Sequence, residues 1–472
     1  MRVLFAAGEA APLIKVGGLG DVAGALPKAL CALGEDVRVI IPMYSAIGDM
    51  REKCTYLTHI YINNAWRKQY CGIFEYKSDG VTYYLIDNEY YFNRYNVYGE
   101  FDDGERFAFF SRAVLEVMPV IDFIPDVLHC NDWHTALVPV LLDTQYRDRP
   151  GYGMIKTVFT IHNIEFQGKF NGYILGSVFG IDTECKPLLW YGDNINLVKG
   201  AIECSNKVTT VSPNYANEIL DPFYSYGLEH ILHSRRYKLS GILNGIDTDA
   251  FNPETDPRIK TNYSLETRSQ KFRNKYALLD ELGFERDNSI PLIGMVTRLT
   301  HQKGLDMVCK RLDWMLSQNL RLVILGSGAK EYEDCISAYA AAHPDKMRAI
   351  IGFDSALAQR IYAGADFFLM PSEFEPCGLA QMIALRYGTI PIVRKTGGLS
   401  DTVIPYDYTT GEGNGIDFVN IDENDMADAV WRALELYADK KHFSQVKKNA
   451  MSGDYSWNVS AQKYLELYRS IV

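Results

Sequence analysis

Residues 1–42 read MRVLFAAGEAAPLIKVGGLGDVAGALPKALCALGEDVRVIIP, and this stretch decides the fold class. Its first apolar run, VLFAAG at residues 3–8, is followed by the glycine loop KVGGLG at 15–20, a segment with helical periodicity, and a second β-branched run, DVRVIIP at 36–42. The order strand, loop, helix, strand predicts a βαβ unit, in which the two strands lie parallel and the helix covers one face of the sheet.

The same alternation repeats along the chain in two series. The first series continues with DVLHCND at 126–132, IKTVFTIHN at 155–163 and KVTTVSP at 207–213; the second contains PLIGMVTRL at 291–299, LRLVILGSG at 320–328 and TIPIVRKTGG at 389–398. Between the two series, residues 239–259 are rich in Asp, Asn, Pro and Gly, as linkers are. We therefore predict an α/β protein with two doubly wound, Rossmann-like domains.

Composition and charge exclude several classes of protein. With 472 residues and 47% apolar content, the chain is long enough for two hydrophobic cores. Its net charge of −11 repels a nucleic-acid backbone, so nucleic acid is not an expected partner. No apolar run reaches the roughly 18 residues of a membrane helix, and Glu9 interrupts the first apolar segment, so we expect neither a membrane span nor a signal peptide. The nine cysteines include no C-x-x-C pair, which favours reduced thiols and a cytoplasmic location.

The glycine loop is compatible with two ligand classes. GLGDVA at 18–23 matches the dinucleotide fingerprint G-x-G-x-x-[GA]. However, a long excursion separates the first strand from the glycines, and the second strand ends in Pro-Met-Tyr instead of an acid for a ribose hydroxyl, so a nicotinamide dehydrogenase is disfavoured. The amides at the helix start predict an anion site, to which Lys15 adds a charge. Asp21 either caps this helix or accepts a hydrogen bond from a sugar hydroxyl.

Two cations, Arg298 and Lys303, stand in TRLTHQKG at 297–304, directly after a predicted strand. Ligands of doubly wound sheets bind beyond the carboxyl ends of strands, where paired cations stabilise the charge of a departing diphosphate. The alternative is a pair of solvated surface cations.

The segment PSEFEPCG at 371–378 places Glu375 before a turn and a helix start. A carboxylate beside free backbone amides binds both the donors and the acceptors of a hexose. A second turn, at Thr396, Gly397 and Gly398, is expected to present amides to a phosphate. Together with the two cations, these features favour a nucleotide-sugar site.

Seven motifs make the chain resemble the bacterial glycogen synthases and plant starch synthases over nearly its whole length: KVGGLGDV at 15–22, NDWHT at 131–135, TIHNIEFQG at 160–168, NGIDTDAFNP at 244–253, TRLTHQKGLD at 297–306, PSEFEPCGLAQ at 371–381 and KTGGLSDTV at 395–403. The resemblance implies a GT-B fold, in which two Rossmann-like domains face a central cleft. It implies an acceptor-side domain at 1–240, a nucleotide-sugar-binding domain at 241–455, and a helix at 456–472 that returns to the N-terminal domain.

The activity implied by the resemblance is glucosyl transfer to the non-reducing end of an α-1,4-glucan, with retention of the anomeric configuration. The implied donor is ADP-glucose, which bacterial and plastid members generally prefer, although the sequence does not decide between ADP-glucose and UDP-glucose. Oligomeric state, acceptor chain length and regulation stay open.

The resemblance also implies the site residues. Its catalytic group consists of His162, which faces the transferred glucose, Arg298 and Lys303, which bind the diphosphate, and Glu375 at the donor sugar. For His162 alone, a satisfied core histidine is the alternative, and for Phe353 a core aromatic. Further contacts to the donor phosphates, the sugars and the nucleobase are implied for Lys15, Gly17, Gly18, Asp21, Asp132, Asn244, Phe353, Cys377, Gly378 and Leu379.

The chain departs from the broader retaining-transferase pattern of two glutamates eight residues apart, because position 383 holds Ile383. No carboxylate is evident for a covalent intermediate, so a front-face reaction is favoured, in which the departing diphosphate helps to deprotonate the incoming 4-hydroxyl. No metal motif is evident, and neither a metal nor another cofactor is expected. Sucrose and trehalose-phosphate synthases, and a non-catalytic glucan-binding protein, are the alternative functions.

Overall fold

The computed structural model describes residues 1–472, which divide into two compact units. The first unit comprises Met1–Asn244 and Trp457–Val472, and the second comprises Gly245–Ser456.

The first unit contains a nine-stranded sheet with the order β12-β11-β7-β6-β1-β2-β5-β4-β3 and a small antiparallel sheet with the order β8-β10-β9. The strands are β1 (Arg2–Ala6), β2 (Asp36–Pro42), β3 (Thr55–Asn64), β4 (Arg67–Ser78), β5 (Val81–Asp87), β6 (Val127–Asn131), β7 (Lys156–Ile161), β8 (Lys169–Asn171), β9 (Trp190–Tyr191), β10 (Asn194–Asn196), β11 (Lys207–Thr210) and β12 (Leu239–Gly241).

The large sheet is parallel except at one edge, where β3, β4 and β5 pair antiparallel. The antiparallel pairing of β3 with β4 was not predicted, because these two strands are rich in tyrosine and charged residues instead of continuous apolar runs. β3 alternates half-buried and exposed residues, as expected for an edge strand with one wet face.

Nine helices cover this unit: α1 (Gly18–Ala32), α2 (Glu89–Phe92), α3 (Asp103–Val117), α4 (Leu137–Leu141), α5 (Ile174–Ser177), α6 (Lys186–Leu189), α7 (Leu197–Cys204), α8 (Pro213–Glu218) and α9 (Glu229–Ser234). A tenth, α18 (Trp457–Arg469), packs beside α1 in the same unit. Its buried face includes Tyr468, whose hydroxyl lies 2.6 Å from Nδ1 of the buried His129 on β6. The C-terminal segment is therefore part of the core of the first unit.

The second unit is built on six parallel strands in the order β15-β14-β13-β16-β17-β18: β13 (Leu292–Val296), β14 (Arg321–Gly326), β15 (Met347–Ile351), β16 (Phe367–Met370), β17 (Ile390–Arg394) and β18 (Ile416–Phe418). Numbered within the unit, the order is 3-2-1-4-5-6, which is the Rossmann order. Its helices are α10 (Lys271–Glu281), α11 (Leu305–Ser317), α12 (Lys330–Ala342), α13 (Ser355–Gly364), α14 (Ala380–Arg386), α15 (Gly397–Thr402), α16 (Glu423–Ala438) and α17 (Lys440–Ser452).

Each large sheet has one point at which the strand order reverses direction. In the first unit this switch lies between β1 and β6, and in the second it lies between β13 and β16. Loops leaving adjacent strands diverge there and open a crevice at the carboxyl ends, which is where open α/β sheets bind ligands. The residues that follow these four strands are therefore in positions to contact a ligand.

No helix of the structure is both long and apolar enough to cross a membrane. Nor does any group of three or more His, Cys, Asp or Glu side chains lie in positions to hold a metal ion.

Candidate functional site

The loop after β1 is organised by Glu9, a residue that the sequence analysis did not place in the site. Its carboxylate is only 2% exposed and accepts hydrogen bonds from the amides of Val16 and Gly17, the latter at 3.2 Å. Burial raises the pKa of this carboxyl, although the amide hydrogen bonds oppose the shift. The buried Glu9 carboxylate thus fixes the glycine loop through two backbone hydrogen bonds. The Gly17 amide is therefore not free for a phosphate in this structure.

Lys15 and Asp21 pair with each other across the same loop, with Nζ and Oδ1 2.7 Å apart. Both side chains reach solvent, so the pair is weak and exchanges readily with a charged ligand. Asp21 makes no capping hydrogen bond to α1, so the helix-cap alternative was wrong. The prediction that Asp21 contacts a sugar and Lys15 a phosphate stays open.

Gly18 is the first residue of α1 and, like Gly17, is exposed. Its amide makes no hydrogen bond within the protein, and a Cβ built on it would meet nothing within 4 Å. The fold itself therefore does not require glycine here. An unoccupied amide at the start of a 15-residue helix is suited to an anion.

Asp132, which follows β6, has a backbone φ of 56° and ψ of 178°, a conformation that residues with a Cβ rarely adopt. Its Oδ1 accepts from the His162 amide at 2.8 Å, which ties the end of β6 to the end of β7. Burial raises the pKa of this carboxyl to about 7. Backbone strain and side-chain desolvation at one residue are typical of a functional position.

The His162 ring is fixed by Asn131. Asn131 donates through Nδ2 to the Ala6 carbonyl at 3.1 Å, so its Oδ1 accepts from His162 Nε2 at 2.9 Å. This assignment puts the ring proton on Nε2 and leaves Nδ1 as an acceptor. Burial lowers the pKa of His162 to about 3, so the imidazole is neutral near pH 7. It is therefore suited to accept a hydrogen bond from a sugar hydroxyl and not to carry a positive charge.

His134 and Asn244 are two further buried polar residues of the first unit. His134 stacks on Tyr98 with ring centroids 4.2 Å apart. Asn244 is 6% exposed, and its Oδ1 is buried without a hydrogen-bond partner. A buried amide oxygen without a donor is costly, and a bound ligand would remove that cost.

In the second unit, Lys303 and Glu375 meet at the switch point. Lys303 Nζ lies 2.5 Å from Glu375 Oε2, and Ser372 Oγ donates to the same carboxylate oxygen at 3.0 Å. The two charged side chains are 15% and 9% exposed. The structure thus brings these two predicted residues together and partly neutralises Lys303 before any ligand binds.

Arg298, by contrast, is exposed and forms neither an ion pair nor a side-chain hydrogen bond. It follows β13, as Lys303 does, and is the free cation at this switch point. Phe353, which follows β15, is 93% exposed, so the core-aromatic alternative was wrong. An exposed aromatic ring at this edge agrees with the predicted stacking on a nucleobase.

The loop from Glu375 to Leu379 presents backbone amides. Those of Gly378 and Leu379 make no hydrogen bond within the protein, and Gln381 fixes the loop by donating to the carbonyls of Cys377 at 3.0 Å and Gly378 at 2.9 Å. Two of the residues predicted to bind the donor, Gly378 and Leu379, therefore have amides available here.

The turn at Thr396, Gly397 and Gly398 differs from the prediction. The Gly398 amide donates to the carbonyls of Glu375 and Pro376, at 3.1 and 3.2 Å, and is not open to a phosphate. A Cβ at Gly398 would meet the Cys377 carbonyl oxygen. The glycine is needed so that α15 can pack directly against the Glu375 loop, and its contribution to the site is positional.

Comparison with known proteins extends this picture. The family described as "Starch synthase catalytic domain" matches residues 2–234, and the family described as "Glycosyl transferases group 1" matches residues 284–451. A glycogen synthase of Bacillus cereus (strain B4264) is 51% identical over 476 aligned positions, which cover 100% of both chains. The chain belongs to the glycogen and starch synthase family.

Members of this family are glycosyltransferases, and so is this chain. A glycogen synthase of Geobacillus thermodenitrificans (strain NG80-2) is 50% identical, covering 100% of this chain and 98% of the relative. The catalytic domain of starch synthase IV from Arabidopsis thaliana, in a structure bound to ADP and acarbose, superposes with a TM-score of 0.92 at 38% identity, covering 100% and 99% of the two chains. This superposition confirms the predicted GT-B fold with two Rossmann-like domains.

A sucrose-phosphate synthase from Thermosynechococcus elongatus superposes with a TM-score of 0.62 at 16% identity and covers 100% of this chain and 98% of its own. At that identity the likeness shows a shared fold alone.

Three residues that position the site were not predicted from the sequence: Glu9, Asn131 and Ser372. Each stands within three positions of a predicted residue or at the carboxyl end of a strand. Glu9 gave the clearest signal, because an acid directly after a buried strand needs partners, and the nearby glycine loop supplies amides.

Proposed function

We propose that this chain transfers glucose from ADP-glucose to the non-reducing end of an α-1,4-glucan, with retention of the anomeric configuration. Full-length identity of 51% to a glycogen synthase supports the reaction. Support for ADP as the nucleotide comes from the Arabidopsis thaliana structure, which is bound to ADP. The observation that carries the proposal is the free guanidinium of Arg298 in the loop after β13, the same loop whose Lys303 pairs with Glu375.

In the proposed reaction the bond between the glucose anomeric carbon and the diphosphate oxygen breaks. Negative charge then grows on the diphosphate, and Arg298 and Lys303 neutralise it. Lys303 can contribute only part of its charge, because Glu375 already holds it at 2.5 Å. Arg298, which has no partner to lose, is therefore proposed as the main electrostatic stabiliser.

Glu375 accepts hydrogen bonds from donor-sugar hydroxyls in this proposal, and the free amides of Gly378 and Leu379 donate to the sugar or the phosphates. Neutral His162 accepts from a hydroxyl of the transferred glucose. The predicted contacts at Lys15, Gly17, Gly18, Asp21, Asp132, Asn244, Phe353, Cys377, Thr396, Gly397 and Gly398 stay part of the proposal, with Gly17 and Gly398 acting through loop geometry.

Retention needs either a covalent intermediate or attack on the face that the leaving group vacates. Position 383, eight residues after Glu375, holds a buried isoleucine and offers no nucleophile. We therefore propose front-face attack: the acceptor 4-hydroxyl oxygen bonds to the anomeric carbon, and its proton passes to an oxygen of the departing diphosphate. No metal is assigned to this step.

The test uses purified full-length protein, glycogen, and either ADP-glucose or UDP-glucose carrying radiolabel in the glucose, with and without EDTA. We expect label in glycogen from ADP-glucose, one ADP released per glucose, and no loss with EDTA. Because β-amylase cleaves α-1,4 links from non-reducing ends, it should release the label as maltose. Failure of glycogen to accept label would refute the function, and label resistant to β-amylase would refute the linkage.

A matched pair of variants links this assay to the site. Glu375→Gln should lose most transfer activity, whereas Glu373→Gln should retain it, because Glu373 lies on the same loop but faces His301, 3.6 Å away. A glucan-binding protein without activity would release no ADP on addition of glycogen. A transferase with small acceptors would prefer phosphorylated hexoses to glycogen.

A further inference from the structure

A polar cavity lies in the Gly245–Ser456 unit, and none of its lining residues takes part in the proposed reaction. Its volume is about 480 Å³, and its wall includes Asn288 and Asp366. These residues precede β13 and β16, whereas Arg298 and Glu375 follow the same two strands. The cavity is therefore at the amino edge of the sheet, opposite the edge that carries the proposed donor site.

The wall of this cavity is strongly basic in a protein whose overall charge is −11. Five cations line it against two carboxylates, those of Glu266 and Asp366; the cations are Arg268, Lys271, Lys275, Lys440 and Lys447. Local charge of this sign on an acidic protein attracts anions.

Most of these cations lack a counter-charge. Asp366 is committed to Lys275, with Oδ2 2.6 Å from Nζ. Lys271 is buried and donates to the Tyr362 and Ala363 carbonyls, at 3.1 and 2.7 Å, and to Thr389 Oγ1 at 2.7 Å, but to no carboxylate. Of the two carboxylates in the wall, Asp366 is thus already paired, and Glu266 accepts from Ser264 Oγ at 2.8 Å instead of pairing with a cation.

Lys440 and Lys447 form neither an ion pair nor a side-chain hydrogen bond. Their ammonium groups lie over aromatic rings, 3.6 Å from the Tyr437 centroid and 4.5 Å from the Phe443 centroid. Burial lowers the pKa of Lys447; attraction to Asp366 opposes this shift, and repulsion from Lys440 and other neighbouring cations adds to it. Such a group gains from an anion that supplies both charge and hydrogen-bond acceptors.

Arg268 adds a further unmet donor. Its Nη1 donates to the Leu265 carbonyl at 2.9 Å, but its Nε is buried without a partner. The N-terminus of the 11-residue helix α10, which has no side-chain cap, also borders the cavity through Lys271 and Phe272. The dipole of this helix favours negative charge at the same place.

From this arrangement we propose that the cavity binds a small phosphate monoester, with its phosphate among Arg268, Lys440 and Lys447 and its organic part against Phe272 and Phe443. A phosphate monoester carries nearly two negative charges at pH 7 and three strong acceptors, which matches three cations without ion pairs. A cavity of about 480 Å³ falls within the range of small-molecule sites and exceeds the needs of a bare phosphate.

Isothermal titration calorimetry on the full-length protein, with ADP present at saturation, tests the proposal. The probes are glucose 1-phosphate as a representative sugar phosphate, inorganic phosphate, and glucose as the neutral control. We expect one molecule of glucose 1-phosphate to bind per chain, more tightly than inorganic phosphate, and glucose not to bind. Absence of glucose 1-phosphate binding while ADP is bound, or equal affinities for glucose 1-phosphate and inorganic phosphate, would overturn the assignment.

Three variants test whether glucose 1-phosphate binds in this cavity. Lys440→Met and Lys447→Met should each weaken glucose 1-phosphate binding roughly tenfold, the usual effect of losing one charged hydrogen bond. Lys448→Met, one residue further along α17, removes an exposed lysine outside the cavity and should change binding less than twofold. Because Lys440 is exposed, its replacement leaves folding intact and keeps the test decisive. Unchanged affinity in both cavity variants would refute the site.

Discussion

The ion pair of Lys303 and Glu375 allows a quantitative test of how the donor edge is held. Its atoms are 2.5 Å apart, and the two side chains are 15% and 9% exposed. At an effective dielectric constant of roughly 20, the Coulomb attraction over that distance is about 7 kcal/mol. Desolvation of both groups offsets much of it, so the measurable quantity is the cost of leaving one partner alone, which is about 3 to 5 kcal/mol for an enclosed pair.

Lys303→Met leaves the Glu375 carboxylate with Ser372 Oγ at 3.0 Å as its remaining side-chain partner, so it should lower local stability by about 3 to 5 kcal/mol. Glu375→Gln leaves the ammonium of Lys303 beside a neutral amide oxygen and should cost less. In the double variant no charge is stranded, and its loss should be at least about 2 kcal/mol smaller than the sum of the single losses.

Hydrogen exchange of peptides covering β13 and β16 measures these free energies within the second unit, without contributions from unfolding of the first. Lys310→Met, which removes a lysine that is 59% exposed from the following helix, is the matched control and should leave exchange unchanged. Losses that add within about 0.5 kcal/mol would show that the two side chains are not coupled, contrary to the structure.

Three further predictions concern the first unit. Gly18→Ala should preserve the melting temperature but weaken ADP binding measured by calorimetry. Gly24→Ala should lower the melting temperature, because its Cβ would lie 2.7 Å from a carbonyl oxygen. An equal fall in melting temperature in the two variants would contradict this prediction. Burial raises the pKa of Asp132 to about 7, so the free-energy cost of ionising this buried carboxyl grows as pH rises from about 4 to 7. Asp132→Asn should therefore stabilise the protein by up to ~4 kcal/mol at pH 8, but not at pH 4, as measured by urea unfolding. Burial lowers the pKa values of His129 and His134 to about 3, so the free energy of unfolding should fall as pH drops below about 6.5, by ~2 kcal/mol for each histidine at pH 5. Replacement of both by Gln should reduce the slope of unfolding free energy against pH, and an unchanged slope would refute the assignment.

The strands and site residues of the second unit could be predicted most completely from the sequence. The apolar runs at 291–299 and 389–398 became β13 and β17 because fully buried parallel strands consist of continuous apolar residues. Once the strand order is a Rossmann order, Arg298 and Glu375 necessarily follow the two strands that flank the switch point.

The sequence could not predict which groups already satisfy one another. Glu9 occupies the Gly17 amide, and Glu375 and Pro376 occupy the Gly398 amide, so two glycines predicted to bind phosphate instead shape loops. Such pairings depend on distances between segments far apart in the chain or on the path of a loop, and residue type does not specify either. The β3–β4 hairpin was missed for a related reason, since an edge strand is stabilised by its neighbour more than by its own apolar content.

Turnover of Arg298→Ala tests most directly the claim that this guanidinium stabilises the departing diphosphate. With ADP-glucose and glycogen at saturation, kcat should fall roughly 10²- to 10³-fold, the usual loss for one preorganised charge stabiliser, while the melting temperature stays unchanged because the side chain has no partner in the protein. Arg273→Ala, at another exposed arginine of the same unit, should turn over normally. A folded Arg298→Ala protein with near-normal kcat would contradict the account.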